Sequence, residues 1–158
     1  MIKVLLVCLG NICRSPSAEG VLRQQIKERG LEQRISVDSA GTAAWHIGKS
    51  PDQRSIAAAQ QRGIDISDLR ARAVSPTDFN DYDYILAMDL ENLSNLKTMA
   101  PAECRAELSL FLAFDAQSSH SEVPDPYYGG EQGFNLVLDL VTDASEAFIK
   151  HVLKQHTL

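Results

Sequence analysis

Along the chain, short β-branched and leucine-rich runs alternate with segments of helical period. Residues 2–7 carry Ile, Val and Leu at every position but Lys3, the pattern of a strand buried on both faces. The run ends in Cys8-Leu9-Gly10-Asn11-Ile12-Cys13-Arg14, where Gly10 and Asn11 tolerate left-handed backbone. Ser15-Pro16 then reads as an N-cap with proline at the first helical position. Ala18, Val21, Leu22 and Ile26 keep a helical period as far as Gly30. Residues 34–39 predict a second strand, and a polar loop with Trp45, His46 and Gly48 follows. Ser50-Pro51-Asp52 opens a helix through Ile56 and Ala57–Ala59 to Gly63. Residues 83–88 predict a third strand and Leu93, Leu96 and Met99 a short helix. Residues 107–112 predict a fourth strand. A polar loop over 116–133 leads to a final helix with Phe134, Val137, Leu138, Val141, Ser145, Phe148, Ile149 and Val152 on one face.

Strands alternating with helices predict an α/β fold: a parallel sheet with helices on both faces. Right-handed crossovers leave a four-stranded, doubly wound, flavodoxin-like arrangement of three layers as the simplest topology. No repeat, low-complexity tract or linker divides residues 1–158, so a single domain is expected. In such sheets ligands sit at the carboxyl ends of the strands. The loops that begin at Cys8, Ser39, Asp89 and Ala113 share that edge.

Composition narrows the function. At 44 % hydrophobic and 23 % charged residues the chain has ordinary globular composition. A formal net charge of -6 argues against a broad grip on nucleic acid or anionic membrane. Three cysteines (Cys8, Cys13 and Cys104) do not make a disulfide framework in a chain of 158 residues. The opening apolar run is shorter than a signal-peptide core, and bulky Val7 precedes Cys8. No stretch approaches the roughly 20 apolar residues of a membrane span. The expectation is a cytoplasmic protein without membrane insertion.

The chemistry is concentrated in Cys8–Arg14, a Cys-x5-Arg segment between a buried strand and a helix start. A loop of that size turns successive N–H groups inward and makes an anion-binding nest. Leu9, Gly10, Asn11, Ile12, Cys13 and Ser15 are therefore expected around a bound phosphate, with Arg14 as a planar fork for two of its oxygens. The same positive field favours the thiolate of Cys8, to which Ser15 can donate. A nucleotide-binding loop is excluded, since no Gly-Lys-Ser/Thr follows. Thiolate attack on phosphorus requires a proton for the leaving oxygen, and Asp125 is the best-placed candidate, between Pro124 and Pro126 on a ligand-edge loop. Taken alone, it reads equally as a turn aspartate. Tyr127, Tyr128 and Trp45 lie on ligand-edge loops and can wall a slot for an aromatic ring or serve weak self-association. Asp89 reads either as an N-cap or as a partner for the nucleophile loop. His46, His120, His151 and His156 share no metal-ligand spacing with the cysteines and read as surface or capping residues; no metal or cofactor is expected. Arg70 and Arg72 form either a salt-bridge cluster or a rim for acidic peptides.

The loop Cys8–Pro16, with Asp38-Ser39-Ala40-Gly41-Thr42, Ser50-Pro51-Asp52, Ala87-Met88-Asp89 and Asp125-Pro126-Tyr127-Tyr128-Gly129, resembles the low-molecular-weight protein tyrosine phosphatases along essentially the whole chain. The resemblance implies metal-independent hydrolysis of aryl phosphate monoesters through a cysteinyl-phosphate, with a phosphotyrosine protein or small aryl phosphate as substrate. It assigns Cys8 as nucleophile, Arg14 as phosphate clamp, Asp125 as general acid, and Asn11 and Ser15 as loop supports. It also implies that Cys13 traps oxidised Cys8 as a reversible disulfide. Ile12 resembles the tyrosine-phosphatase branch, whereas the related protein-arginine phosphatases tend to carry threonine there. Members often place a loop-supporting histidine before the Arg-Ala-Arg stretch; here Leu69 precedes Arg70-Ala71-Arg72. Two rival readings are a thiol-dependent arsenate reductase-like redox enzyme, which needs more cysteines than Cys104 supplies, and a non-catalytic phosphate-binding module.

Overall fold

Each of the four apolar runs becomes a strand: β1 (Ile2–Cys8), β2 (Ile35–Gly41), β3 (Tyr84–Ala87) and β4 (Glu107–Leu110). The computed structural model describes residues 1–157. All pairings are parallel and the order is β2-β1-β3-β4, with Leu5 of β1 in register with Asp38 and Ile85. The five helices are α1 (Arg14–Glu28), α2 (Gln53–Gln60), α3 (Asp78–Asp81), α4 (Leu90–Met99) and α5 (Glu131–Gln155).

The alternation of β1 builds two cores. Val4, Leu6 and Cys8 join a large cluster with Leu22 of α1, Ala59 of α2 and Phe148 of α5. Leu5 and Val7 face a smaller one with Phe79 of α3 and Leu96 of α4. Both faces of the sheet are thus covered, which accounts for the apolar runs of its two central strands, β1 and β3. The chain leaves β1 towards β2 on one side and returns to β3 on the other. The strand order therefore reverses where Cys8 ends β1, the place where a doubly wound sheet opens a crevice.

Several elements differ from the sequence reading. Ser15 caps nothing: α1 begins at Arg14 with Cys13 at its N-cap, and Pro16 is the third helical residue. Its hydroxyl is engaged elsewhere, and proline is still tolerated in a first turn that has no use for its N–H. Asp52 rather than Ser50 caps α2, accepting from the Arg54 N–H. The apolar stretch from residue 107 remains extended only to Leu110. Phe111–Phe114 then winds into a 3-10 turn, which packs Phe111 edge-on against Phe148. The short helix α3 has no apolar period and was not expected. No helix among the described residues is long and apolar enough to cross a membrane.

Candidate active site

Local backbone geometry builds the loop after β1. Asn11 takes a left-handed conformation (φ 57°), which asparagine tolerates because its short side chain bonds locally. Gly10 does not share that conformation. What it needs is room, because a Cβ there would lie 2.9 Å from the His46 ring. The Asn11 N–H points at Cys8 Sγ (3.3 Å), and Ser15 Oγ lies 3.0 Å from the same sulfur. The Asn11 amide donates to Ser15 Oγ (2.8 Å) and Ser39 Oγ (3.0 Å) and accepts from the Arg72 N–H (3.0 Å). Asn11 and Ser15, expected to contact substrate, thus have side chains buried beneath the loop. The amides of Gly10, Ile12 and Cys13 donate to no protein group among the described residues, which leaves them available to an anion. Leu69 packs against the larger core, so the support that the resemblance gives to a histidine there is absent; the Arg72 amide holds Asn11 instead.

Arg14 is 3 % exposed and spans two loops. Its Nη1 donates to Asp89 Oδ2 (2.6 Å) and the Val123 carbonyl (3.0 Å), while Nη2 lies 3.8 Å from Asp125 Oδ2. Burial works against the guanidinium charge, but Cys8, Asp89 and Asp125 outweigh it and its pKa rises. Asp89 serves both roles read from sequence: Oδ1 caps α4 through the Asn92 N–H (2.7 Å) while Oδ2 holds Arg14. The Val123 N–H bonds to the Met88 carbonyl (2.8 Å), so the loop carrying Asp125 is tied to the end of β3.

These elements surround a cavity of about 270 Å3. Cys8, Leu9, Gly10, Ile12, Cys13 and Arg14 line it from the loop after β1, and Trp45, Asp125, Tyr127 and Tyr128 line it from the neighbouring loops. His46, read as a surface or capping residue, also lines it. The rings of Tyr127 and Tyr128 meet edge-to-face at 4.9 Å. Arg54 braces them by lying over the Tyr127 ring and donating to its carbonyl (2.9 Å). Asp125 Oδ1 accepts from the Tyr127 N–H (3.0 Å). Burial, with the charge of Asp52, pushes the Cys13 thiol up to about 12. Cys104 sits against the smaller core on the other face of the sheet, away from the cysteines of the cavity. The described residues contain no group of three His, Cys, Asp or Glu side chains arranged for a metal ion.

Arg72 settles as a salt-bridge hub, pairing with Asp38 (3.2 Å) and Asp78 (3.0 Å). Ser39, Glu19 and the Val123 carbonyl were not foreseen as parts of the site. The Asp38–Thr42 segment and its place on the ligand edge hinted at Ser39, and nothing in the spacing marked Glu19.

Known proteins are similar to this chain in sequence and fold. The residue pattern of the family described as "Low molecular weight phosphotyrosine protein phosphatase" matches residues 3–158. A relative of that name from Schizosaccharomyces pombe is 44 % identical over 152 residues, 96 % of this chain and 97 % of its own. The low molecular weight protein-tyrosine-phosphatase YfkJ of Bacillus subtilis is 40 % identical over 158 residues, the full length of both chains. Its crystal structure matches with a TM-score of 0.92 over 98 % of this chain and 96 % of that one. A crystal structure of a protein tyrosine phosphatase from Entamoeba histolytica, with Hepes in its active site, matches with a TM-score of 0.93 at 40 % identity over all of both chains.

Proposed function

This chain belongs to the low-molecular-weight phosphotyrosine protein phosphatase family and is a protein tyrosine phosphatase, a phosphoric monoester hydrolase; from that premise we propose that Cys8 is its nucleophile, Arg14 its phosphate clamp and Asp125 its general acid. The observation that carries this reading is one constellation. A sulfur held by Ser15 Oγ and the Asn11 N–H shares a cavity with the Arg14 fork and a carboxylate beside that fork.

In the first step the Cys8 thiolate attacks phosphorus and the bond to the phenolic oxygen breaks, with Asp125 delivering the proton. Free loop amides and the unspent face of Arg14 stabilise charge on the equatorial oxygens. In the second, Asp125 as carboxylate takes a proton from water. The water oxygen adds to phosphorus, and the P–S bond breaks to return the thiolate and release phosphate. Leu9, Gly10, Ile12 and Cys13 contribute the cradle, and Trp45, Tyr127 and Tyr128 flank the aryl ring. The reaction uses no metal or cofactor.

The test is hydrolysis of p-nitrophenyl phosphate in excess chelator. The wild type is expected to turn over and Cys8→Ser to bind vanadate without turnover. Appreciable hydrolysis by Cys8→Ser would sink the assignment. We further propose that hydrogen peroxide converts Cys8 to the sulfenic acid and that the Cys13 thiol displaces water to give a disulfide. With excess peroxide, Cys8 of Cys13→Ser lacks that trap and is carried on to the sulfinic acid, so reductant should restore activity in the wild type and not in Cys13→Ser. Phosphotyrosine proteins are the proposed substrates, handled by one domain spanning 1–158. Three free cysteines suit a reducing, cytoplasmic setting, and exposed Trp45 and Tyr128 suit a monomer or weak self-association.

A further inference from the structure

Glu19, in the second turn of α1, is 2 % exposed, and the two-step chemistry above makes no use of it. Burial raises its pKa, and the Ser39 hydroxyl and Arg23 offset part of that against a further rise from Asp38. A carboxylate kept in such a place requires specific donors, and tracing them leads to the nucleophile.

The direction of each hydrogen bond follows from counting protons. The Asn11 NH2 group only donates, so Ser15 Oγ and Ser39 Oγ must both accept from it. Its Oδ1 is held by the Arg72 N–H, which prevents the amide from turning over. Each serine then has one proton left to give. Ser39 gives its proton to Glu19 Oε1 at 2.6 Å, and Ser15 faces Cys8 Sγ at 3.0 Å. The other Glu19 oxygen accepts from Arg23 at 2.6 Å, and Arg23 also donates to the Val37 carbonyl of β2 at 2.8 Å. The carboxylate is thereby pinned between α1 and β2.

We propose that Glu19, oriented by Arg23, is a positioning residue for Cys8, acting through Ser39, Asn11 and Ser15 to keep the Ser15 proton on the cysteine sulfur. The inference rests on the reading of Cys8 as nucleophile. Without an acceptor at position 19 the Ser39 hydroxyl is free to rotate and Asn11 loses a fixed partner. Ser15 then has the Ala40 carbonyl, 3.5 Å away, as a competing acceptor. The loss falls on the second step. There the P–S bond breaks and the sulfur leaves with the electron pair, so a donor on sulfur lowers the barrier; in the first step the same donor only tempers the nucleophile.

The experiment compares two substitutions of similar volume with p-nitrophenyl phosphate. Glu19→Gln keeps an acceptor oxygen and is expected to hold kcat within about threefold. Glu19→Met has none and is expected to lower kcat about tenfold with KM within about twofold. In rapid mixing, Glu19→Met should still release a burst near one p-nitrophenol per enzyme, because the slowed step follows phenol release. Ser39→Ala should reproduce Glu19→Met. Equal kcat in the Gln and Met variants overturns the proposal, as does a burst that shrinks in proportion to turnover. Should Glu19→Met not fold, a wild-type kcat in Ser39→Ala overturns it as well. Cys8→Ser is assayed alongside: its turnover would bring down the nucleophile reading, whereas a silent Cys8→Ser with an unaltered Glu19→Met removes only the role of Glu19.

Discussion

The nucleophile loop and the Asp125 loop face each other across one cavity but are built in opposite ways. Asn11 and Ser15 are buried in a closed set of hydrogen bonds with β2 and the Arg72 segment, and Arg14 is buried on Asp89 and the Val123 carbonyl. Asp125, by contrast, has a side chain 45 % exposed, and Tyr128 is 95 % exposed. Four hydrogen-bonded anchors hold that second loop: Glu122 Oε1 on the Leu90 N–H, the Val123 N–H on Met88, the Val123 carbonyl on Arg14, and the Tyr127 carbonyl on Arg54. Charge on a phosphoryl group develops at fixed atoms, so its partners are most useful when they need no reorganisation. Leaving groups differ in shape and must enter and depart, which an open, lightly anchored wall allows. A rigid holder for the phosphoryl group on one side, and an adaptable wall that receives and protonates the leaving group on the other, is the division of labour.

If that division is right, substitutions in the two loops should differ in kind as well as size. Asp125→Asn should have the largest effect, lowering kcat on phenyl phosphate about 10²–10³-fold and on p-nitrophenyl phosphate much less, because the better leaving group needs less protonation. A leaving-group series measured on both enzymes checks this; parallel slopes would refute it. Gly41→Ala comes next. Its Cβ would sit 2.7 Å from the Leu9 carbonyl and 3.2 Å from the Asn11 nitrogen, so the nucleophile loop must shift. A loss of about 10–100-fold in kcat/KM is expected, with weaker vanadate binding by titration. Tyr128→Ala should be milder, raising KM for aryl phosphates about threefold with little change in kcat. Smallest in activity is Cys13→Ala, near wild type at pH 7. The signature of Cys13 is chemical and is read in the wild type: at pH 8 iodoacetamide should label Cys8 and spare Cys13, read by peptide mass. The folded Cys13 value of about 12 lies above the ordinary 9.0. The stability this thiol contributes is therefore complete below about pH 9 and is lost as pH rises towards 12. Thermal melts between pH 9 and 11 should show a shallower decline in Cys13→Ala.

Strands and long helices were legible because they depend on runs and periods that neighbouring residues share. The parallel sheet and its ligand edge followed from them, and with these the meeting of Cys8, Arg14 and Asp125. Features settled by tertiary contact were not legible. Phe111 looks like a strand residue until Phe148 offers a ring to pack on. Ser15 has the form of a helix cap, yet its hydroxyl faces a sulfur seven residues earlier. Asp78–Asp81 has too few residues for a period, and its place depends on Phe79 filling the smaller core. The link from Glu19 to Ser39 joins positions 20 residues apart on different elements, a pairing that no local pattern encodes.

Asp89 divides its two oxygens between the first turn of α4 and the guanidinium at the start of α1. Those elements sit on opposite faces of the sheet, and β3 must already lie beside β1 for one carboxylate to reach both. A half-assembled chain therefore cannot carry a correctly held clamp. Newly made molecules should stay inert towards phosphoproteins until β3 has docked beside β1, so that appearance of turnover during refolding marks that pairing rather than formation of the loop alone.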